Sequence, residues 1–313
     1  MINNDILITG GSGLLGSAFR SIYPHGDYPT STELDLMSIE SIEQWFRQNN
    51  TSSVIHLAGL VGGVSANINY VYDFYYKNLM INNNIIDACV KNSIPKLVCC
   101  LSTCVYPDSN SVNYPLTENQ LHKGEPHDSN FGYAYAKRMV DVQLKASRRQ
   151  YGTNYISVIP NNMYGENDNF DIDNSHVIPA LIRKIYEAKM KGSSSFKVWG
   201  TGDVLREFTY SKDVARAILF CLEKYDGDNP INIGCTTEYH LKDIVSLICK
   251  ILEYDGIIVY DHSKPTGQYR KPSSNKRLMD IGWKEEWYTP IEVGLRNTCQ
   301  WFKENYHNAK GIK

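Results

Sequence analysis

Short apolar runs alternate along the first half of the chain with longer segments whose apolar residues recur at helical spacing. The apolar runs predict buried strands at 5–11, 53–59, 96–102 and 155–160. The segments between them predict helices at 12–23, 69–92 and 131–152. This alternation of buried strands and helices indicates an α/β fold built on a doubly wound parallel sheet.

The pattern changes after Pro160. A polar, turn-rich stretch at 161–175 is followed by a further helix at 176–192, and short strands and helices complete the chain. We therefore expect an N-terminal domain at 1–162, to which the chain returns around 206–232. A smaller α/β C-terminal domain is expected to comprise 163–205 and 233–313.

The charge balance excludes several classes of partner. The 313 residues include 32 Lys and Arg against 34 Asp and Glu, a formal net charge of -2, which does not indicate binding to nucleic acid or an anionic membrane. No apolar run approaches the ~20 residues that cross a bilayer. The N-terminal residues lack the basic and apolar regions of a signal peptide. We expect a cytoplasmic protein that binds neither membrane nor nucleic acid.

The eight cysteines show no C-x-x-C spacing and no pattern of metal ligands, so no metal site is expected. Seven of them are expected to be small buried residues within apolar segments. Cys104 is the exception. It lies in LSTCVYP at 101–107, just after an apolar run and two positions after a serine.

A glycine-rich turn, ITGGSGLLG at 8–16, lies between the first predicted strand and the first predicted helix. Gly10, Gly13 and Gly16 permit a tight turn and a close approach of the backbone to a pyrophosphate. The pyrophosphate would then lie at the positive helix N-terminus, which begins near Leu14 and Leu15. The position of the motif predicts a Rossmann-type domain that binds a dinucleotide.

In such a domain, the residue at the end of the second strand determines the preference between NAD and NADP, because an acidic residue there binds the free ribose 2′-hydroxyl of NAD. The corresponding stretch is 28–36, where Thr30, Ser31 and Thr32 are neutral. We therefore expect a preference for NADP, without an arginine from this stretch to bind its phosphate. Asp35 and Leu36 follow and are candidates for contact with the adenine.

Tyr133 and Lys137 form a Tyr-x-x-x-Lys motif at the start of the helix predicted at 131–152. Residues four apart share a helix face, so Lys137 is expected to lower the pKa of the Tyr133 phenol. Tyr133 would then pass a proton to an alkoxide as hydride arrives. Ser102 ends a predicted parallel strand, where ligands collect in open α/β sheets, and its hydroxyl is a candidate to bind a substrate carbonyl.

These motifs resemble the extended short-chain dehydrogenase/reductases. Within them, STC at 102–104, GENDNF at 165–170 and SHVIP at 175–179 are similar to the GDP-L-fucose synthases, which are GDP-4-keto-6-deoxy-D-mannose 3,5-epimerase/4-reductases. The resemblance implies that Cys104 and His176 exchange protons at C3 and C5 of a 4-keto sugar. NADPH would then reduce C4, with Tyr133 as the proton donor.

The resemblance also implies binding residues. In the NADP(H) site it places Ala58, Pro160 and His176 beside the glycine turn, Tyr133 and Lys137. For the GDP-sugar it implies a substrate contact by Asn162, diphosphate contacts by Lys184 and Arg206, and an apolar wall at Trp199. Thr266 stands where the family has aspartate, which leaves the nucleotide base open.

Two other functions remain open. One is a C4-keto reductase of a related nucleotide-deoxy sugar, such as a GDP-deoxyheptose, without epimerisation. The other is a non-catalytic regulatory protein that binds the cofactor, against which the complete set of Ser102, Tyr133 and Lys137 argues. We also expect a homodimer formed through the helices at 69–92 and 131–152.

Overall fold

The computed structural model describes residues 5–108, 111–172, 174–263 and 269–312, so Thr266 lies outside the described residues. The strands, in chain order, are β1 (Ile6–Thr9), β2 (Ser53–His56), β3 (Lys96–Cys100), β4 (Asn154–Pro160), β5 (Asn162–Tyr164), β6 (Ser195–Trp199), β7 (Leu205–Tyr210), β8 (Ile231–Ile233), β9 (Glu238–His240) and β10 (Ile257–Asp261). The α-helices are α1 (Leu14–Ile22), α2 (Ile39–Gln48), α3 (Val64–Asn69), α4 (Val71–Lys91), α5 (Phe131–Tyr151), α6 (Val177–Met190), α7 (Ser211–Lys224), α8 (Leu241–Leu252), α9 (Lys276–Asp280) and α10 (Ile291–Asn305).

The central sheet has five parallel strands in the order β1-β2-β3-β4-β8. All five residues of β3 are buried, as expected for a parallel strand covered on both faces. On one face Phe19 of α1 and Ile218 of α7 pack in one core cluster with the sheet. On the other face Ile42, Ile85 and Leu144 of α2, α4 and α5 form a second cluster. The predicted doubly wound α/β fold is confirmed.

A third core cluster lies outside this sheet. Phe170, Ile182 of α6, Phe208 of β7, Ile248 of α8 and Phe302 of α10 are its central members. Around it, β6 pairs with β10 in parallel, while β7 pairs in parallel with β5 and antiparallel with β9. Helices and short strands thus enclose this third core cluster.

Two predicted elements differ from the observed ones. The helix predicted at 69–92 begins earlier as α3 and is interrupted at Tyr70, whose backbone angles (φ -123, ψ 42) are not helical, before α4 continues. The second strand, expected to end within 28–36, is reduced to a single parallel bridge between Leu7 and Asp27. The next residues turn instead, because the Glu33 carboxylate accepts hydrogen bonds from both the amide and the hydroxyl of Thr30.

In the part of the chain that the structure describes, no helix combines the length and the apolar character that crossing a bilayer requires.

Candidate active site

The glycine turn after β1 is too tightly packed for side chains. A Cβ on Gly16 would lie 2.2 Å from the carbonyl oxygen of Gly10, and a Cβ on Gly10 would lie 2.8 Å from the amide nitrogen of Ala58. Gly10 also has a φ of +75, which favours glycine. Helix α1 then begins at Leu14, and its first turn contains no acidic residue. This helix start suits a pyrophosphate.

The adenosine end of the predicted cofactor site includes an arginine that the sequence analysis missed. Arg20, from α1, donates hydrogen bonds to the carbonyls of Gly11 (3.2 Å) and Tyr28 (2.9 Å). Its guanidinium lies 4.5 Å from the centre of the Tyr28 ring. The charge of Arg20 also acts on Glu33. A cation thus lies beside the stretch 28–36, although it comes from a helix rather than from that stretch.

Asp35 and Leu36, the two candidates for contact with the adenine, differ in their surroundings. Asp35 is exposed, and its carboxylate accepts a hydrogen bond from the amide of Met37 at 2.9 Å. The Leu36 side chain is buried in the core cluster beside α2, with 9% of its surface exposed. Side-chain contact with a ligand is therefore easier for Asp35 than for Leu36.

The chain leaves β3 through a short 3-10 turn, Thr103–Val105, that places Ser102 and Cys104 together. Ser102 lies two residues beyond the end of β3 and is the N-cap of this turn, so its hydroxyl accepts a hydrogen bond from the Cys104 amide at 3.3 Å. The same hydroxyl is hydrogen-bonded to the Tyr133 phenol. One serine therefore connects the Cys104 backbone to the Tyr-x-x-x-Lys motif.

Tyr133 and Lys137 are both buried on α5, with 8% and 2% of their surfaces exposed. The Lys137 ammonium donates a hydrogen bond to the Cys100 carbonyl at 3.0 Å, and burial lowers its pKa. Burial also raises the pKa of the Tyr133 phenol. The expected lowering of this pKa is thus wrong for this structure, because desolvation of the phenol and, secondly, the neighbouring thiols of Cys104 and Cys100 all raise it, and only the hydrogen bond with Ser102 lowers it.

His56, at the end of β2, lies beneath the motif. Its ring nitrogens are hydrogen-bonded to Thr9 (2.8 Å) and Asn82 (3.0 Å). Burial, and secondly the charge of Lys137, lowers the pKa of His56 to about 3. His56 is therefore neutral at neutral pH, which avoids a second buried positive charge near Lys137. The signal in the sequence was a histidine within the apolar run SVIHLAG.

Cys104 differs from the core cysteines in its exposure. It is half-buried, and its charge acts on Tyr133 and on Lys271, so the three groups lie in one site. Cys99 and Cys100, by contrast, are buried thiols whose pKa burial raises to about 12 and about 11. Cys235 corrects the expectation of seven buried cysteines, since it is half-buried beyond the end of β8.

His176 is exposed at the N-cap of α6. The segment before it is joined to the loop after β2, because the Gly63 amide donates a hydrogen bond to the Asn174 carbonyl at 3.2 Å. The buried Asp168, in the loop that precedes His176, interacts electrostatically with the imidazole. Asp168 was also missed, and its only signal was its place in GENDNF.

The four predicted substrate residues lie on β5, β6, β7 and α6. The Asn162 amide donates a hydrogen bond to the Glu207 carbonyl at 2.8 Å. The Lys184 ammonium lies 5.2 Å from the centre of the Trp199 ring, and Trp199 is 50% exposed. Lys184 and Trp199 therefore form one surface, with a cation above an accessible indole.

Arg206 and Lys271 form a second cationic group. Burial lowers the pKa of both. Lys271 is repelled by Arg206 and attracted by Cys104 and Asp108, whereas Arg206 is attracted by Glu238. Two half-buried cations that repel each other provide a favourable site for an anion. Lys271 was missed in the sequence analysis, because its proximity to Cys104 depends on how the chain after residue 268 folds back.

The remaining predicted cofactor residues are close to the sheet. Pro160 is the buried last residue of β4, and Ala58 is half-buried beside the glycine turn. Among the described residues, no group of three or more His, Cys, Asp or Glu could hold a metal ion.

Several known proteins are similar to this chain in sequence and in fold. The family model for the NAD dependent epimerase/dehydratase family matches residues 6–234. A GDP-L-fucose synthase from Dictyostelium discoideum is 39% identical over 97% of each chain. A crystal structure of a GDP-L-fucose synthetase from Naegleria fowleri bound to NADP is 38% identical, with a TM-score of 0.92 over 99% of this chain and 96% of that one.

A second structural relative has a different activity. It is a GDP-mannoheptose C4 reductase from Campylobacter jejuni with NADP bound, 28% identical, with a TM-score of 0.87 over 97% of this chain and all (100%) of that one. The chain therefore belongs to the NAD dependent epimerase/dehydratase family, whose model matches more than two thirds of its length.

Proposed function

We propose that this protein is an NADP-dependent epimerase/reductase that converts GDP-4-keto-6-deoxy-D-mannose into GDP-L-fucose. It inverts C3 and C5 of the sugar and then reduces the C4 ketone. Near full-length similarity to a GDP-L-fucose synthase supports the proposal. The observation that carries it is the half-buried thiol of Cys104 beside the Tyr133 phenol, because ketone reduction requires a phenol but no thiol.

The glycine turn and the start of α1 would hold NADP(H) through the backbone of Gly10, Gly13, Leu14, Leu15 and Gly16. The packing of this turn fits such a ligand, since Gly10 and Gly16 allow the tight turn and the close approach of α1 to it that a pyrophosphate site requires. We assign further contacts to Asp35, Leu36, Ala58, Tyr133, Lys137, Pro160 and His176. The bound cofactor supplies the hydride for C4.

The ketone at C4 makes the protons on C3 and C5 acidic, because their removal gives an enolate. We assign removal and return of these protons to Cys104 and His176. One group takes the proton from carbon, and the other delivers a proton to the opposite face, so the sugar is inverted without net gain or loss of protons. The Ser102 hydroxyl, which already contacts Tyr133, would hydrogen-bond the C4 oxygen.

Reduction requires a proton for the C4 alkoxide, and we assign its donation to Tyr133. Burial raises the pKa of this phenol and so keeps it protonated at neutral pH, as a proton donor must be. Lys137, fixed to the Cys100 carbonyl, places positive charge next to the site of the developing oxyanion.

For the GDP moiety we propose that Arg206 and Lys271 bind the diphosphate. Their mutual repulsion would be relieved by an anion, and a guanidinium binds phosphate oxygens in a bidentate manner. Lys184 and the exposed indole of Trp199 would hold the nucleoside end. Asn162 would contact the sugar.

We propose that residues 1–162, with a return around 206–232, form the NADP-binding domain, and that 163–205 and 233–313 form the substrate domain. The core clusters support this division, since Val214 and Ile231 pack with the central sheet. Phe208 packs in the third core cluster, outside the central sheet. The chain therefore returns to the first domain near the start of α7. Limited proteolysis with and without NADPH would test it, because the cofactor should protect the first domain more than the second, which contributes only His176 to the cofactor site.

We propose a homodimer through α4 and α5, which pack against each other. Their outer surface exposes Tyr72 (72%), Tyr76 (42%), Phe131 (52%), Met139 (37%) and Val142 (46%). An apolar patch of this kind indicates a protein interface. Light scattering at micromolar concentration should give twice the chain mass, and Tyr72→Asp should give monomers; a wild-type monomer would contradict the dimer.

We also infer a cytoplasmic location, because the eight thiols are all free, which fits a reducing compartment. Expression with a fluorescent tag in the native host would test it. Accumulation in a secretory compartment would contradict the inference.

The product assay tests the main proposal. GDP-4-keto-6-deoxy-D-mannose and NADPH are incubated with the protein, and the product is identified by mass spectrometry and NMR. GDP-L-fucose is expected, with deuterium from solvent at C3 and C5 when the reaction runs in D₂O. A product with unchanged configuration at C3 and C5 would refute the epimerase half.

A second candidate is favoured by similarity to the GDP-mannoheptose C4 reductase. In that case the protein would reduce a GDP-4-keto-heptose without inverting any carbon. A panel of nucleotide-4-keto sugars, compared by kcat/KM, separates the two functions. Failure to oxidise NADPH with every sugar of the panel would instead support a cofactor-binding regulatory protein.

A further inference from the structure

Asp168 is a buried carboxylate that the proposed mechanism does not use. It lies in the loop between β5 and α6 and is 4% exposed. One carboxylate oxygen accepts a hydrogen bond from the Asn169 amide at 2.7 Å. The other oxygen, Oδ2, is buried without a hydrogen-bond partner among the described residues. Burying such an oxygen is costly, so it calls for an explanation.

The loop that carries Asp168 is firmly anchored. Phe170 is fully buried, and its ring stacks on Trp301 and Phe302 of α10. The Phe170 amide donates a hydrogen bond to the Lys310 carbonyl at 2.8 Å, and its carbonyl accepts one from Arg183 at 3.0 Å. Asp168 therefore cannot move easily towards solvent, and its orientation is set by the fold.

Two basic residues interact electrostatically with this carboxylate. Burial raises the pKa of Asp168 to about 6, and the charge of His176 is the largest influence that opposes the rise, ahead of the exposed Lys310. His176 is also the N-cap residue of α6, where the positive end of the helix disfavours an imidazolium. A protonated His176 needs a negative partner, and Asp168 lies within electrostatic range.

We propose that Asp168 is a positioning residue for His176: the charge of its buried carboxylate stabilises the protonated imidazole, so that His176 can exchange a proton with the sugar. The inference rests on the proposed epimerase function. Asp168 itself does not touch the substrate. Its Oδ2 accepts no hydrogen bond from the described residues, so the carboxylate acts on His176 through its charge, as a buried carboxylate stabilises the imidazolium of a catalytic histidine in other enzymes.

The test uses Asp168→Asn, which keeps the shape of the side chain and removes its charge. Solvent deuterium uptake at C3 and C5 and reduction of C4 are measured on the same sample. Deuterium uptake gives one exchange rate for C3 and one for C5. We expect the slower of these two rates to fall by about 10- to 100-fold, because the loss of a supporting residue typically has an effect of this size. Reduction should remain, so the product should shift towards the sugar with unchanged C3 and C5.

A matched control and a double variant separate positioning from a structural role. Lys310→Gln removes the other cation near Asp168 and should leave both activities unchanged. In a His176→Asn background, Asp168→Asn should cause no further loss of exchange, because Asp168 would act only through His176. A further loss in the double variant would overturn the proposal.

Other outcomes are equally decisive. Equal losses of exchange and reduction in Asp168→Asn, or unchanged exchange, would overturn the positioning role. Should this variant fail to fold, Asp168→Glu displaces the carboxylate while keeping its charge, and the same selective loss of exchange is required. If the wild-type protein itself does not exchange C3 and C5, the proposed epimerase function fails first, independently of Asp168.

Discussion

Replacement of Cys104 by serine tests the epimerase chemistry most directly. The change removes an acid–base group whose ordinary pKa lies near ~8.5 and substitutes a hydroxyl that does not ionise near neutral pH. Loss of such a group costs about 10²- to 10⁴-fold in rate. That range corresponds to about 3–5 kcal/mol in the barrier to proton exchange.

The structure indicates that the rest of the site survives the change. Cys104 is half-buried, and its hydrogen bond to Ser102 is made by its backbone amide, which serine retains. The contact between Ser102 and Tyr133 does not involve the thiol. We therefore expect reduction of C4 to continue in Cys104→Ser while deuterium uptake at C3 and C5 falls.

The assay follows exchange by NMR in D₂O and reduction by NADPH absorbance on the same preparation. Cys235→Ser is the matched control, since Cys235 is the other half-buried thiol, and it should behave as wild type. Exchange at both carbons above about a tenth of the wild-type rate in Cys104→Ser would remove the thiol from the mechanism, since a true acid–base group contributes ~10²-fold or more.

Three further changes test other parts of the site. Tyr133→Phe should lower C4 reduction by about 10²- to 10⁴-fold while exchange continues; equal loss of both would contradict the assigned role. Arg206→Met should raise KM for the GDP-sugar more than it lowers kcat. The control Arg270→Met, which removes an ion pair with Glu238, should change neither KM nor kcat. If the two variants changed KM equally, the result would argue against a diphosphate site at Arg206. His56 has a pKa of about 3 in the folded state, whereas an unfolded chain protonates its histidine near ~6.5. The free energy of unfolding should therefore be highest above ~6.5 and should fall as the pH drops from there towards 3. The expected slope is up to about 1.4 kcal/mol per pH unit. Urea unfolding at several pH values should show this slope, and His56→Gln should reduce it; an unchanged slope would refute the assignment.

The sequence predicted the part of the site that depends on local pattern. The turn with Gly10 and Gly16, the dyad on α5 and the position of Ser102 follow from residues close in the chain and from the carboxyl edge of a parallel sheet. Arg20 and Lys271 could not be found in this way, because each reaches the site through contacts between distant segments. The same holds for the interruption at Tyr70, where the helical pattern runs on but the backbone does not.

The direction of the pKa shift at Tyr133 was the least predictable property, and it bears on how the two reactions share one site. A Tyr-x-x-x-Lys spacing alone suggested a phenol that ionises easily. The structure buries the phenol, and burial makes it harder to ionise. A phenol that stays protonated cannot serve as the base that epimerisation requires, but it can protonate an alkoxide.

Other groups must therefore remove the protons from C3 and C5 of the sugar. Cys104, half-buried and within electrostatic range of Lys271, and His176, exposed at the start of α6 and supported by Asp168, are the candidates that the fold provides. Epimerisation and reduction can therefore use different acid–base groups around one ketone. This separation is why single substitutions at Cys104 and Tyr133 should abolish one reaction and leave the other measurable.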